Sequence, residues 1–176
     1  MALRSDTFDL AGLRLSTGEG RRLQLHVAID PFTLGGERYP VEPAVVPVHL
    51  DISRTTGSGY ALRLRFEATL AGPCMRCLEP AAPVFEVDAR EISQPGEGDE
   101  LDSLYVEHGV VDLRRWARDA LALALPTKLL CRPECAGLCP ICGANLNDAG
   151  SDHTHEREPD PRWAKLSEIR FSNPPS

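Results

Sequence analysis

The sequence contains no apolar run near the ~20 residues that a membrane helix needs. The longest such run, residues 120–126, is short and ends at Pro126. Residues 1–6 show no hydrophobic stretch of the kind that directs secretion, so a cytoplasmic protein with no membrane partner is expected. Positive charge is not in surplus: 19 Lys and Arg stand against 26 Asp and Glu, for a net of −7. That balance argues against a broad phosphate-binding surface, because such binding releases counterions from many cations at once. Lysine is nearly missing, since 17 of the 19 bases are arginine, which reads as a compositional habit and not as a function. There is no internal repeat and no low-complexity tract. No Ser/His/Asp constellation or nucleotide-binding glycine pattern is present, so neither an enzyme nor a small-molecule substrate is expected.

The 176 residues, 42% hydrophobic and 26% charged, suffice for one domain, or one domain with a small appendage, that can bury a core without a metal. The acidity is local. Residues 86–107 hold eight acids and one base, and the rest of the chain is balanced. Such a strip is ordinarily a solvated loop, and it also leaves room for a basic protein partner.

Residues 1–92 read as an antiparallel β region. Leu23, Leu25, Val27 and Ile29 alternate along 22–29, and Val46, Val48, Leu50 and Ile52 along 45–52. Pro47, on the opposite face, suggests an edge or a bulge. Residues 60–70 form the strongest strand pattern, after a turn at 56–59, and 83–92 a weaker one. His26 and His49 fall on polar faces and read as solvated. Residues 93–130 are an acidic connection, with a short strand expected at 103–106, followed by an amphipathic helix. Asp112 caps that helix; Leu113, Trp116, Ala117, Ala120, Leu121 and Ala124 form its apolar stripe; Pro126 stops it. Arg114, Arg115 and Arg118 lie on its solvated side. Residues 131–176 read as a zinc-binding module with a terminal helix, started by Asp160 and Pro161 and burying Trp163, Leu166 and Ile169. The expected fold class is α+β: an antiparallel, partly barrel-like β body, then one helix, a zinc-binding cysteine module and a short C-terminal helix. The three regions are expected to form one integrated domain.

All six cysteines lie in two groups, Cys74-x-x-Cys77 and Cys131-x3-Cys135-x3-Cys139-x-x-Cys142. In a cytosolic chain such clusters point to metal more than to disulfides. Zinc takes four thiolate or imidazole ligands as a tetrahedron, commonly from two close pairs. Gly143, just after Cys142, tolerates the left-handed conformation that such a turn needs. Two partitions are open. One places a single Zn2+ among Cys131, Cys135, Cys139 and Cys142, with a formal charge of −2 for zinc and four thiolates. The other pairs Cys74 and Cys77 with Cys131 and Cys135, and Cys139 and Cys142 with His153 and His155, giving two ions; the count of six cysteines and two histidines favours it. If the histidines are not ligands, 153–155 is a polar tail.

Cys74-Met-Arg-Cys77-Leu-Glu-Pro80 after a strand, the 121–126 helix end, Cys139-Pro-Ile-Cys142-Gly-Ala-Asn145-Leu-Asn147 and the closing Asp160-Pro-Arg-Trp163 follow one another in an order that resembles the YceD family of bacterial and plastid proteins. The resemblance runs from about residue 60 to residue 170. It implies a β-rich body with a C-terminal cysteine module, and a non-enzymatic role in ribosome biogenesis that supports accumulation of large-subunit ribosomal RNA. Relatives with the module often carry a C-x-C pair where this chain has His153 and His155, and other relatives lack most of the C-terminal cysteines. The partners implied are ribosomal RNA, a ribosomal protein or another assembly factor, and the acidic strip suits a basic ribosomal protein better than RNA. Two alternative functions are a zinc-ribbon adaptor in transcription or protein contacts, and a thiol-redox sensor using Cys74 and Cys77, whose expected βαβ context is absent.

Overall fold

The computed structural model describes residues 4–94, 103–150, 152–155 and 162. The terminal helix expected at 160–169 and the middle of the acidic strip lie outside these residues. The chain forms two compact units, Met1–Cys135 and Ala136–Ser176.

In chain order the first unit contains β1 (Thr7–Asp9), a short 3-10 turn (Ala11–Leu13), β2 (Gly20–Ala28), β3 (Phe32–Leu34), β4 (Glu37–Tyr39), β5 (Val41–Glu42), β6 (Val45–Arg54), β7 (Tyr60–Leu70), β8 (Gly72–Pro73), β9 (Pro80–Ala81), β10 (Val84–Ser93), β11 (Val106–Glu107), β12 (Val110–Asp112) and α1 (Leu113–Ala124). The main sheet is antiparallel in the order β10-β7-β6-β2, and β5 continues the β6 edge along the end of β7. Its pattern follows from alternation. Val46, Val48, Leu50 and Ile52 of β6, and Leu62, Leu64, Phe66, Ala68 and Leu70 of β7, are buried on one face. Arg63, Arg65, His49 and Asp51 occupy the other. Pro47 pairs with His26 of β2, and β7 begins to pair with β6 only at His49, so the missing N–H falls where β6 has a single neighbour.

The partly barrel-like body expected from the sequence does not close: among the described residues the sheet is open, ending at β10 and β2. The reason is α1. Its buried stripe of Leu113, Trp116, Ala117, Ala120 and Leu121 covers the apolar face and touches both end strands, so the face is closed by a helix and not by strand pairing. Ala124, the last residue of the expected stripe, is exposed. The expected strand at 103–106 also shifts. Ser103 Oγ donates to Glu91 at 3.0 Å and accepts from the Tyr105 N–H at 3.2 Å, which turns the chain, and β11 starts only at Val106. β11, β12 and β1 make a small second sheet.

Asp112 caps α1 by accepting from the Arg115 N–H at 2.9 Å. Asp112→Ala is expected to cost about 1 kcal/mol, read as a lowered Tm. The three arginines of α1 are engaged. Arg114 pairs with Asp30, Arg115 donates to the Leu104 carbonyl at 3.2 Å, and Arg118 lies 5.0 Å from the centre of the Phe32 ring. On the outer sheet face, Arg22 and Arg65 both bind Asp51, at 2.5 and 2.6 Å. The hydrogen bond from Arg22, opposed by burial and helped by Arg65, holds the Asp51 carboxyl below its ordinary value. A lowered folded-state value means stability that is present at neutral pH and lost as pH falls from the ordinary carboxylate value through the folded one. Asp51→Asn is therefore expected to flatten the acid limb of a stability–pH curve and leave its alkaline side unchanged in shape.

Candidate metal centres

The eight sulfur and nitrogen ligand candidates fall into two groups of four. Cys74, Cys77, Cys131 and Cys135 belong to the first unit; Cys139, Cys142, His153 and His155 belong to the second. Within each group the ligand atoms all lie within 4.8 Å of one another. His26 and His49 join neither group.

The first group hangs from the end of β7. β8 and β9 pair as a two-residue ladder, and the chain between them folds into a tight knuckle. The Cys74 N–H donates to the Glu79 carbonyl at 2.8 Å, and the Leu78 N–H to the Cys74 carbonyl at 2.9 Å. Tyr39 fixes the base of the knuckle. Its hydroxyl donates to the Pro73 carbonyl at 2.9 Å, and its ring lies so close to Gly72 that a Cβ there would meet it at 2.3 Å. The two residues between the cysteines then hold the opposite loop. The Met75 N–H donates to the Leu129 carbonyl at 2.8 Å, the Leu129 N–H reaches Met75 Sδ at 3.3 Å, and Arg76 donates to the Cys135 carbonyl at 2.7 Å. These contacts bring Cys74 Sγ to 3.8 Å from Cys135 Sγ, and Cys77 Sγ to 3.7 Å from Cys131 Sγ. The edge of a tetrahedron with Zn–S bonds of about 2.3 Å is about 3.8 Å. A disulfide would need about 2.05 Å, and none of the six cysteines is in one.

The second group repeats the knuckle. The Cys139 N–H donates to the Ala144 carbonyl at 2.8 Å, and the Gly143 N–H to the Cys139 carbonyl at 2.8 Å. The residue after the second cysteine is left-handed in both, with φ of 65° at Leu78 and 74° at Gly143. Glycine holds this conformation freely; leucine pays about 1–2 kcal/mol for it. Leu78 is 66% exposed, so little packing is lost on truncation, and Leu78→Gly is expected to raise stability by about 1 kcal/mol in a thermal melt. Asn145 and Asn147 brace this knuckle. Asn147 Oδ1 accepts from the Ala136 N–H at 2.9 Å, and Asn145 Oδ1 accepts from the Asn147 N–H at 3.0 Å. His153 Nε2 lies 3.5 Å from Cys142 Sγ and 3.1 Å from His155 Nε2. Those separations approach the edges of a mixed S2N2 tetrahedron with Zn–N bonds of about 2.0–2.1 Å.

The thiols are not equivalent. Burial by itself raises Cys74, but the backbone N–H groups of Cys77, Arg76 and Cys131 outweigh it and bring the pKa down to about 6. Desolvation, with the neighbouring thiols of Cys77, Cys135 and Cys74, pushes Cys131 up to about 12. In the second group the Cys142 backbone N–H, then His153, lower Cys139 to about 6. A thiolate of this kind begins a cation site, and its repulsion resists ionising the remaining thiols until a cation neutralises them. The bracing by Met75, Arg76, Asn145 and Asn147 carried no signal in the sequence beyond adjacency to the cysteines.

Fold and clusters define a mostly antiparallel sheet protein with one helix and two knuckle-borne Cys and Cys/His groups that could each hold a metal ion. Residues 62–170 match the family described as Large ribosomal RNA subunit accumulation protein YceD. The chain belongs to the YceD family. It is 32% identical over 173 residues to an uncharacterized protein of Mycobacterium tuberculosis, covering 93% of this chain and 80% of that one. It is 28% identical over 161 residues to an uncharacterized protein of Mycobacterium leprae, covering 85% and 73%. A 41-residue stretch, 23% of this chain, is 42% identical to 14% of a maize protein named Large ribosomal RNA subunit accumulation protein YCED homolog 1, chloroplastic. No solved structure matches. Among the described residues no helix is long and apolar enough to cross a membrane.

Proposed function

We propose that the protein is a non-enzymatic, cytoplasmic ribosome-biogenesis factor that supports accumulation of large-subunit ribosomal RNA. Its two four-ligand groups each hold a structural Zn2+. The observation that carries the role is family membership over 62–170, together with the name of the maize relative. What supports zinc is the chemistry of the donors: paired thiolates and imidazoles at tetrahedral edge lengths, on knuckles whose backbone N–H groups already favour the charged sulfur. Four protein ligands per ion leave no open coordination position, so the metal shapes a binding surface and does not activate water. Its partners are ribosomal RNA, a ribosomal protein or an assembly factor. The redox reading of Cys74 and Cys77 has less support, because each sulfur also faces a second thiol across the site, Cys135 at 3.8 Å and Cys131 at 3.7 Å.

The test is depletion of the protein in its own host, followed by a sucrose gradient and quantification of both ribosomal RNAs. A deficit of large-subunit RNA against small-subunit RNA is expected, with restoration by the intact gene. A normal ratio of subunits and RNAs overturns the role.

A further inference from the structure

The edge of β10 is ten residues long, contains no proline, pairs with β7 without a skip and, among the described residues, is unpaired on its outer side. The other end strand, β2, is at least partly covered: the Ser5 N–H donates to the His26 carbonyl at 2.8 Å. Which groups of β10 are free follows from the ladder. The Leu70 N–H donates to the Pro83 carbonyl, so the Leu70–Pro83 position is a hydrogen-bonded pair. Alternate residues along an antiparallel ladder share that character. Counting along the register, Phe85, Val87, Ala89 and Glu91 bond to β7, and the N–H and C=O groups of Val84, Glu86, Asp88, Arg90 and Ile92 face outward. The side chains of the same five residues are exposed on the outer sheet face.

The order of these five residues is complementary to itself. Two antiparallel copies of β10, related by a two-fold axis at Asp88, set Val84 opposite Ile92 and Glu86 opposite Arg90, each pair twice. All of these are outward-facing positions, so each pair falls where the edge groups can bond. Val84 and Ile92 are 62% and 53% exposed in the single chain, and each gains an apolar cross-strand neighbour. Glu86 and Arg90 make no salt bridge among the described residues, and each gains an opposite charge. Asp88 meets its own copy at the axis, but Arg63 already holds it, donating from Nε at 2.7 Å and from Nη2 at 2.5 Å. The axis therefore carries two ion pairs and not two bare carboxylates. On the inner face Val87 lies opposite Ala89, and Phe85 opposite Glu91, whose carboxylate keeps its Ser103 hydrogen bond. Sliding one strand by two residues sets Glu86 against Asp88 in one direction and against Ile92 in the other, so a single register is favoured. A foreign strand of one charge sign would oppose either Arg90 or Glu86, and a second copy opposes neither.

We propose that two copies of the protein pair through the β10 edge, antiparallel and centred on Asp88, and so join their main sheets into one continuous sheet. This goes beyond the ribosomal role and is independent of the metal.

The test uses the full-length protein purified without chelator, sedimentation equilibrium at low salt from about 1 µM to about 1 mM, and amide hydrogen exchange read by NMR. A concentration-dependent dimer is expected. Protection of the Glu86, Asp88 and Arg90 amides should grow with it, with little change at Val87 and Ala89, which already bond to β7. Glu86→Arg sets arginine against Arg90 twice, and Arg90→Glu sets glutamate against Glu86 twice. Each is expected to weaken the dimer about tenfold, with unchanged far-UV circular dichroism as the control for folding. The E86R/R90E variant, which exchanges the two charges within one chain, is expected to restore the dimer. An equimolar mixture of the two single variants should do the same, because both pairs then attract again. A monomer throughout the concentration range overturns the proposal, and so does a dimer that leaves the three outward amides unprotected. Single variants that dimerise as well as the wild type overturn it too, as does an exchange or a mixture that fails to restore pairing. Protection of those amides only on addition of a peptide alternating valine and lysine would assign the edge to a foreign strand and likewise overturn it. Because the assay uses purified protein, its failure leaves the ribosomal RNA phenotype standing, and loss of that phenotype leaves the edge chemistry standing.

Discussion

Replacing Cys135 by serine is expected to lower the bound zinc from two ions per chain to one, and to detach the 129–135 segment from the knuckle between β8 and β9. Cys135 is fully buried, its Sγ lies 3.8 Å from Cys74 Sγ, and its carbonyl takes the Arg76 hydrogen bond. Serine conserves the volume and removes the thiolate. Apparent binding free energies of structural zinc run to about 10–16 kcal/mol, so losing the ion outweighs the loss of any single contact in the segment. The main sheet has its own core, so far-UV circular dichroism should persist while hydrogen exchange accelerates at 72–81 and 129–135. Cys142→Ser is expected to remove only the other ion. Metal analysis of the two purified variants checks both, and an unchanged stoichiometry in either sinks that ligand group. Acid should act in the same direction on the wild type. Cys131, at about 12 without metal, must lose its proton to become a ligand, so protons compete with the cation and retention falls as pH falls.

The strands of the main sheet were legible because each has one buried face. Residues 60–70 alternate without a fault, and β7 occupies that interval. β10 alternates weakly because Glu91 sits at an inward position, where Ser103 satisfies it, and Ile92 points outward. Sheet closure was not legible, since alternation is the same whether a sheet meets itself or a helix; only the two contacts of α1 with β2 and β10 decide it. The β3–β4 hairpin was missed although its signal was present. Gly35 and Gly36, at φ of 61° and 88°, form the two-residue loop that turns Leu34 into Glu37. β1 pairs with β12 across a hundred residues, and three-residue strands carry too little pattern to reveal that. For the metal centres, spacing marks which cysteines form a knuckle but not which second pair each knuckle faces. That choice depends on nonlocal contacts such as Met75 with Leu129 and Arg76 with Cys135, between residues whose types are unremarkable.

Trp116→Ala is expected to be the most damaging core substitution, at about 3–5 kcal/mol. Trp116 is 2% exposed on the buried stripe of α1, and its ring stacks on Tyr105 with centroids 6.1 Å apart and planes 23° from parallel. Removing it takes out the largest fully buried side chain among the described residues and leaves a void between α1 and the sheet face on which it packs. Neighbours bound in a paired sheet collapse poorly into such a space, so both the transfer loss and the cavity are felt. A domain of this size holds about 5–15 kcal/mol in total, so the variant should sit near the edge of folding. Leu123→Ala, about two turns along the same helix but 87% exposed, should stay within about 0.5 kcal/mol. Urea titration with a shared m-value measures both. A Trp116 variant that loses less than about 1 kcal/mol would mean that α1 is not the main cover of the sheet's apolar face.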